Sequence, residues 1–326
     1  MTKTINYISR KRLPQYHSIE GVFISIKLAI EADLTCNWIE LEQSGASPLD
    51  LIHNLKSIER HKNTVYHITG DVHYVALKLG KQAVLTIHDV HSALKGSWFK
   101  RLYVYLFWFW LPALLVKKIT VISEFTKQEL EQLIPTFKHK IVVIPNPIHP
   151  NFVPSPKNFS GTPTILLMGT KPNKNLERVI KAVAQIPCTL HIIGVLTDAQ
   201  LALLKLYPIR YTHRVNLSQT AIVAAYQTCD LLCFPSTYEG FGMPIIEAQA
   251  TGRPVLTSNF GAMKEIAGDS AHFVDPYSVE DIRHGLIKMI SDEAYRHELI
   301  TKGYDNIKRF STKHVTDQYM ALYQSL

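Results

Sequence analysis

Short apolar, β-branched runs alternate with amphipathic stretches along almost the whole chain. In the first half the runs are Thr4–Ser9, Cys36–Glu40, Thr64–Ile68, Gln82–Ile87, Lys118–Ile122 and Lys140–Ile144. Several are apolar at nearly every position, which is the pattern of strands covered on both faces. Helical spacing fills the intervals at Ser18–Glu31, Pro48–Arg60, Val72–Leu79, Ser97–Val116 and Glu124–Leu133, with Thr126 and Glu129 spaced as a capping box. The second half repeats the plan, with strands expected at Thr164–Met168, Thr189–Ile193, Asp230–Phe234, Pro254–Ser258 and Ala271–Val274. Leu176, Val179, Ile180 and Val183 follow one another at i, i+3, i+4 and i+7, and Asn175 before them has the chemistry of an N-cap. Further helices are expected at Asp198–Leu206, Gln219–Thr228 and Pro244–Thr251, from Ser278 along the face Ile282, Leu286, Met289, and at Ser311–Ser325 with Val315, Tyr319 and Leu322 on one face.

This alternation implies an α/β architecture of parallel sheets with right-handed crossovers. About eleven strands can close as a barrel or form two doubly wound Rossmann-like domains. Residues 145–156 hold five prolines in twelve positions, which favours a linker and two domains. The expected organisation is one domain over 1–150, a second over 151–310 and a terminal helix over 311–326. Ligands of open parallel sheets bind beyond the carboxyl ends of the strands, so the chemistry is expected in those loops, across a cleft between two such domains.

Composition narrows the class. The 326 residues are 46% hydrophobic and 19% charged, which suits a chain with a large core and excludes wholesale disorder. Four cysteines are too few for a disulfide scaffold, and Cys229 and Cys233 have no further ligands nearby to complete a zinc site, so reduced thiols in a cytoplasmic protein are expected. No leader pattern opens the chain, and the longest uncharged apolar run, Leu102–Val116, is short of the roughly 20 residues a spanning helix needs. The net charge of +8 is uneven: residues 1–150 hold 18 basic and 12 acidic residues, and the stretch Val90–Thr120 has five basic residues and no acidic one. That asymmetry points to an anionic partner.

Three loops carry candidate chemistry. In Pro235–Ala248 a strand end leads through a loop to Pro244 in the first turn of a helix, whose free N–H groups make an anion site. Gly240 and Gly242 let the backbone approach a ligand, and Glu239 and Glu247 flank the loop as acceptors for sugar hydroxyls. The pattern is equally that of an ordinary strand–loop–helix with solvated acids. Gly169-Thr170-Lys171-Pro172-Asn173-Lys174-Asn175 is a second strand-to-helix loop with two cations for phosphate, or a solvated turn. His88-Asp89 ends a strand, as an active histidine or an inert hydrogen-bonded pair, and Asp71 and His73 follow the strand Thr64–Ile68. No Asp-x-Asp metal pair stands out.

Glu239 and Glu247 are in E-x7-E spacing, and the whole of Pro235–Ala248 resembles the central signature of the retaining nucleotide-sugar glycosyltransferases of family 4, the glycosyl transferases group 1, which have the GT-B fold. Thr251–Val255, Ala262–Ile266, Val274–Pro276, Thr120–Lys127 and Ile144–Pro147 are similar to further family segments. The resemblance implies two Rossmann-like domains facing across a cleft, the first on the acceptor side, the second binding the nucleotide sugar, with the terminal helix crossing back to the first. It implies transfer of a hexose or N-acetylhexosamine, with retention, from a UDP- or GDP-sugar to a glycan or lipid-linked acceptor. The setting it implies is cell-surface polysaccharide or lipopolysaccharide synthesis, in the cytoplasm or at the inner face of the cell membrane.

Carried over by position, Glu239 meets donor-sugar hydroxyls as a catalytic residue and Glu247 the ribose. The backbone of Gly240, Phe241, Gly242 and Met243 faces sugar and phosphate, and Lys174 meets the diphosphate beside Gly169. Thr170 stands where the family has an arginine, with Lys171 as a substitute cation. His88 is implied near the reacting carbon, with Asp71, His73 and Asp89 toward the acceptor. Around Tyr16–Phe23 there is one glycine where the family has two. No metal or other cofactor is implied, because lysines and helix dipoles stabilise the leaving diphosphate. Nucleic acid is not among the expected partners.

One segment fits two readings. Ser97–Lys118 has three Trp, three Phe and two Tyr, bracketed by basic pairs. It is either a helix buried on the first sheet or a helix touching an anionic membrane, with residues 95–118 as the contact. Two other functions stay open on the residues alone: a nucleotide-sugar epimerase of the same fold, and a basic scaffold for membrane or nucleic acid.

Overall fold

The structure, a computed structural model, describes residues 3–11, 18–45, 47–90, 96–159 and 161–326. They divide into two compact units: residues up to Pro147 together with Thr312–Leu326, and Ile148–Ser311. Each is built on a six-stranded, all-parallel sheet with helices on both faces, a Rossmann-like α/β architecture.

The first sheet consists of β1 (Thr4–Ser9), β2 (Thr35–Glu40), β3 (Thr64–Ile68), β4 (Ala83–Ile87), β5 (Lys118–Val121) and β6 (Ile141–Val143), in the order β2-β1-β3-β4-β5-β6. Every residue of β3 and β4 is buried, as their unbroken apolar runs require. On one face Ile5, Tyr7, Val65 and Val84 pack against helix Ser18–Ile30 and the terminal helix Thr312–Gln324. The terminal helix brings Val315, Tyr319 and Tyr323 into that core, each side chain contributing about 1.5–3 kcal/mol by burial. Tyr323 also joins a buried polar chain: its hydroxyl meets His67 Nδ1 at 2.5 Å, His67 Nε2 meets Thr86 Oγ1 at 2.6 Å, and Thr86 meets Thr120 at 2.6 Å.

The other face carries the helix at residues 98–115, which is neither of its two expected forms in pure state. Phe109, Pro112 and Ala113 are buried in the core, and Tyr103 and Trp108 pack on it. Trp98, Phe99, Leu102, Trp110 and Leu114 stay exposed, Phe99 by 76%. Its middle, Tyr105–Trp110, is a π-helical segment between α-helical Trp98–Val104 and Leu111–Leu115. Pro112 has no N–H to give the Trp108 carbonyl four residues back. His73 supplies the donor, Nδ1 reaching that carbonyl at 2.6 Å.

The second sheet consists of β7 (Thr164–Met168), β8 (Thr189–Ile193), β9 (Arg210–Arg214), β10 (Leu231–Phe234), β11 (Val255–Ser258) and β12 (His272–Val274), in the order β12-β11-β10-β7-β8-β9. Counted within the unit this is 3-2-1-4-5-6 read from β9, the dinucleotide-fold order, whose direction reverses between β7 and β10. The helices Leu176–Val183 and Met243–Ala250 leave the carboxyl ends of those two strands.

Some local expectations are corrected. Helix Glu124–Leu133 is capped by Ser123, whose side chain accepts from Thr126 N at 3.0 Å, so Thr126 lies inside the helix rather than opening a capping box. Asn175 stands before its helix, but in a left-handed conformation (φ 63°), and its side chain makes no cap. Strand β9 and the helices Gly261–Ala267 and Glu293–Asn306 had no counterpart in the sequence pattern. Tyr16, His17 and Lys95 lie outside the described residues.

Candidate active site

In the second unit the two loops flanking the topological switch point are sewn together. After β7 a single 3-10 turn, Pro172–Lys174, is followed by Asn175. The amide of Asn175 donates to the carbonyls of Pro235 (3.0 Å) and Pro276 (2.6 Å), so one buried side chain ties the loop after β7 to those after β10 and β12. Only a residue that tolerates the left-handed region and carries two donors does this, which explains asparagine here. Asn173 adds bonds to Tyr238 O (2.9 Å) and Glu239 Oε1 (3.2 Å), and its own carbonyl accepts from Thr237 N at 2.8 Å.

This stitching brings Lys174 Nζ to 2.6 Å from Glu239 Oε1. Both side chains are largely shielded, and the ammonium lies 4.7 Å above the Phe234 ring. Gly169 has φ +88°, and a Cβ there would come within 3.0 Å of the Lys174 side chain, so the glycine leaves the room in which that lysine folds back. Gly242, at φ +110°, turns the chain into helix Met243–Ala250, with Pro244 in its first turn. Phe241 is buried, edge-on to Phe310 at 5.6 Å, so only its backbone can serve a ligand.

Glu247, one turn into that helix, is half-buried and takes a bond from the Tyr226 hydroxyl at 2.6 Å. Burial pushes its carboxyl up to about 7, against the phenol and the Lys174 charge, which both pull it down. Thr170 is buried, its hydroxyl donating to Val195 O at 2.5 Å and its carbonyl accepting from Gln200 Nε2 at 2.9 Å. Its side chain is committed inside the unit and offers nothing in place of an arginine. Lys171 is exposed next to it.

The first unit gathers a second group at its own switch point, between β1 and β3. Arg10, just after β1, bonds Glu20 Oε1 at 2.9 Å and Asp71 Oδ2 at 3.0 Å. Neither Arg10 nor Glu20 was singled out from the sequence, because a lone arginine after a strand has no signature. His88 donates from Nε2 to Thr69 O at 2.8 Å, which leaves Nδ1 as an acceptor, and burial holds its pKa below the ordinary range. Asp89 is half-buried beside it. His73 is buried, bonded to Trp108 and edge-on to Phe109 at 5.8 Å, where it seals the proline break in the helix.

Among the described residues no group of three or more His, Cys, Asp or Glu side chains is arranged to hold a metal, and no helix is long and apolar enough to cross a membrane. All four cysteines are buried and free.

Comparison with known proteins follows the same division. Residues 152–306 match the family model described as glycosyl transferases group 1, and residues 41–152 match that of glycosyltransferase family 4. The chain is 34% identical over 101 residues to O-antigen chain mannosyltransferase B of Escherichia coli, a match covering 31% of this chain and only 26% of that relative's length. Among solved structures, a sucrose-phosphate synthase from Thermosynechococcus elongatus aligns over 99% of this chain and 98% of its own, with TM-score 0.81 and 17% identity. HepE of Anabaena in complex with UDP-glucose aligns over 99% of this chain and 100% of its own, with TM-score 0.77 and 16% identity. At these identities the structural likeness is one of fold.

Proposed function

The chain belongs to the group 1 glycosyltransferases, and on that premise we propose that it transfers a hexosyl group, with retention, from a nucleoside-diphosphate sugar to a glycan or lipid-linked acceptor in surface-polysaccharide synthesis. The observation that carries this reading is the Lys174–Glu239 pair at the switch point of the second unit, 2.6 Å long, with Glu247 on the following helix. A cation, an open helix start and two carboxylates are what a diphosphate, a sugar and a ribose need together.

In this reading the diphosphate takes the Lys174 ammonium, helped by the exposed Lys171 and the N–H groups at Gly242 and Met243. Glu239, released from its cation, accepts hydroxyls of the donor sugar. Glu247 accepts the ribose diol. The acceptor oxygen attacks the anomeric carbon from the face the diphosphate leaves, and a phosphate oxygen takes its proton. His88, with its bare Nδ1, accepts a hydroxyl of the reacting sugar. The charge that develops on the leaving diphosphate is met by Lys174 and the helix start, so turnover is expected to survive a chelator. The mannosyltransferase relative makes GDP-mannose the first donor to try, and the UDP-glucose complex of HepE makes UDP-glucose the second.

The test is a panel of UDP- and GDP-sugars, with nucleoside-diphosphate release followed and the product anomer read by NMR, with and without EDTA. An α-linked product from an α-linked donor is expected. A shift of no donor in thermal melts and no release from any would favour a basic scaffold instead.

We further propose that the helix at 98–115 meets an anionic membrane surface. Its outer side exposes Trp98, Phe99 and Leu102 beside Lys100 and Arg101, a mixture that gains at a lipid headgroup layer. Vesicles with anionic lipid should pellet the protein, and Trp98→Ser with Phe99→Ser should release it. Equal recovery of both proteins in the supernatant would end this part of the reading.

A further inference from the structure

Tyr226 is 21 positions before Glu247, on a different helix, yet among the described residues its hydroxyl makes the one side-chain hydrogen bond to the Glu247 carboxylate. The tyrosine is held from three directions. Its ring is wholly buried and edge-on to Phe152 at 5.5 Å. Its carbonyl accepts from Arg253 Nε at 2.9 Å and from the Cys229 thiol at 3.2 Å. Arg253 is itself buried and fixed by a second bond to Gln227 O at 2.6 Å. The phenol therefore cannot swing away from the carboxylate, and the carboxylate is the movable partner.

We propose that Tyr226 is a positioning residue for Glu247: it saturates one lone pair of Oε2 and aims Oε1 and the remaining Oε2 lone pair at a vicinal diol. The inference rests on the reading of Glu247 as the ribose acceptor. A diol donates two hydrogen bonds, and a carboxylate offers about four acceptor sites in fixed directions, so one donor from the protein can orient the group without using it up.

The electrostatics act in the same direction. Burial alone favours the protonated carboxyl, which would have one acceptor fewer. Two groups oppose this: the Tyr226 hydroxyl from the helix before β10 and Lys174 from the turn after β7. The other titratable groups packed there are the Tyr226 phenol and the Cys229 thiol, both pushed up by burial, and the Arg253 guanidinium is turned to the Tyr226 and Gln227 carbonyls. Removal of the hydroxyl leaves Lys174 as the sole opposing group, so protonation of Glu247 moves to higher pH.

The experiment measures the dissociation constants of UDP and GDP between pH 5.5 and 9 for the wild type, Tyr226→Phe and Glu247→Gln, with melting temperatures alongside. Wild-type affinity should rise with pH through about 7. In Tyr226→Phe the midpoint should move up by about one unit, so that binding is about fivefold weaker at pH 7 and within twofold of wild type at pH 9. Glu247→Gln should bind weakly and without pH dependence. Superimposable wild-type and Tyr226→Phe profiles, with Glu247→Gln still weakened, would overturn the inference and leave the ribose reading intact. A uniform loss in Tyr226→Phe at every pH would also overturn it, since a merely structural tyrosine acts that way. Unchanged binding in Glu247→Gln would overturn the ribose reading and the inference with it.

Discussion

Replacing Glu247 by glutamine should make the protein more stable while making it a worse enzyme. The folded carboxyl is pushed up to about 7, from an ordinary value near 4.5 in the unfolded chain. A raised carboxylic acid is destabilising when ionised. The penalty is absent below pH 4.5, grows as pH rises toward 7, and is flat above it. Integrated to pH 8, two and a half units amount to about 3 kcal/mol, and partial solvent contact of the side chain reduces this to about 2–3 kcal/mol. Glutamine keeps an oxygen for the Tyr226 hydroxyl, so the hydrogen bond survives while the charge does not. Urea unfolding of both proteins at pH 5 and pH 8 measures the effect. The variant should gain about 2–3 kcal/mol at pH 8 and less than about 1 kcal/mol at pH 5. A variant that is no more stable at pH 8 than at pH 5, relative to wild type, would refute the reasoning. Donor affinity should fall in the same variant, which would explain why a buried carboxylate is kept at a cost in stability.

Lys174→Met should lower kcat/KM by about 10²–10³, the usual loss when one preorganised charge partner of the transition state is removed, while unfolding free energy changes by about 1–2 kcal/mol at most. Steady-state kinetics beside melting curves separate the two, and a variant within fivefold of wild type would remove Lys174 from the chemistry. His67 is fully buried and bonded on both ring nitrogens, and burial lowers its pKa to about 3. A lowered histidine is stabilising only while neutral, so stability should fall by about 2 kcal/mol between pH 7 and pH 5, and His67→Gln should flatten that part of the curve. Arg253→Met strips donors from the carbonyls of Tyr226 and Gln227 at a buried helix end and should cost about 2–4 kcal/mol in urea unfolding. A loss under about 1 kcal/mol would mean that water replaces the guanidinium.

The strands that sequence pattern finds are those buried on both faces, such as β3 and β4, because every position there must be apolar. Strand β9, Arg-Tyr-Thr-His-Arg, escapes the pattern because it is a sheet edge, largely exposed and charged, as edges that avoid pairing tend to be. Helix Glu293–Asn306 escapes because it buries few apolar positions, among them Leu299, and places Arg296 and Asn306 inward as well. The candidate site divides the same way. The seven-residue interval between Glu239 and Glu247 is local and legible. The Lys174–Glu239 pair joins two loops and the Tyr226–Glu247 bond two helices, each distant in sequence, and both become visible only once β7 and β10 lie side by side. His73 is hard to read for a related reason: its partner is the Trp108 carbonyl, left without a donor by Pro112 and 35 positions away along the chain.

The most direct measurement is sugar transfer by Glu239→Ala beside the wild type, with the donor that the panel identifies. The account predicts that nucleoside-diphosphate release in the variant drops to background, while the melting temperature stays within a few degrees. Wild-type turnover in a folded Glu239→Ala protein would contradict it.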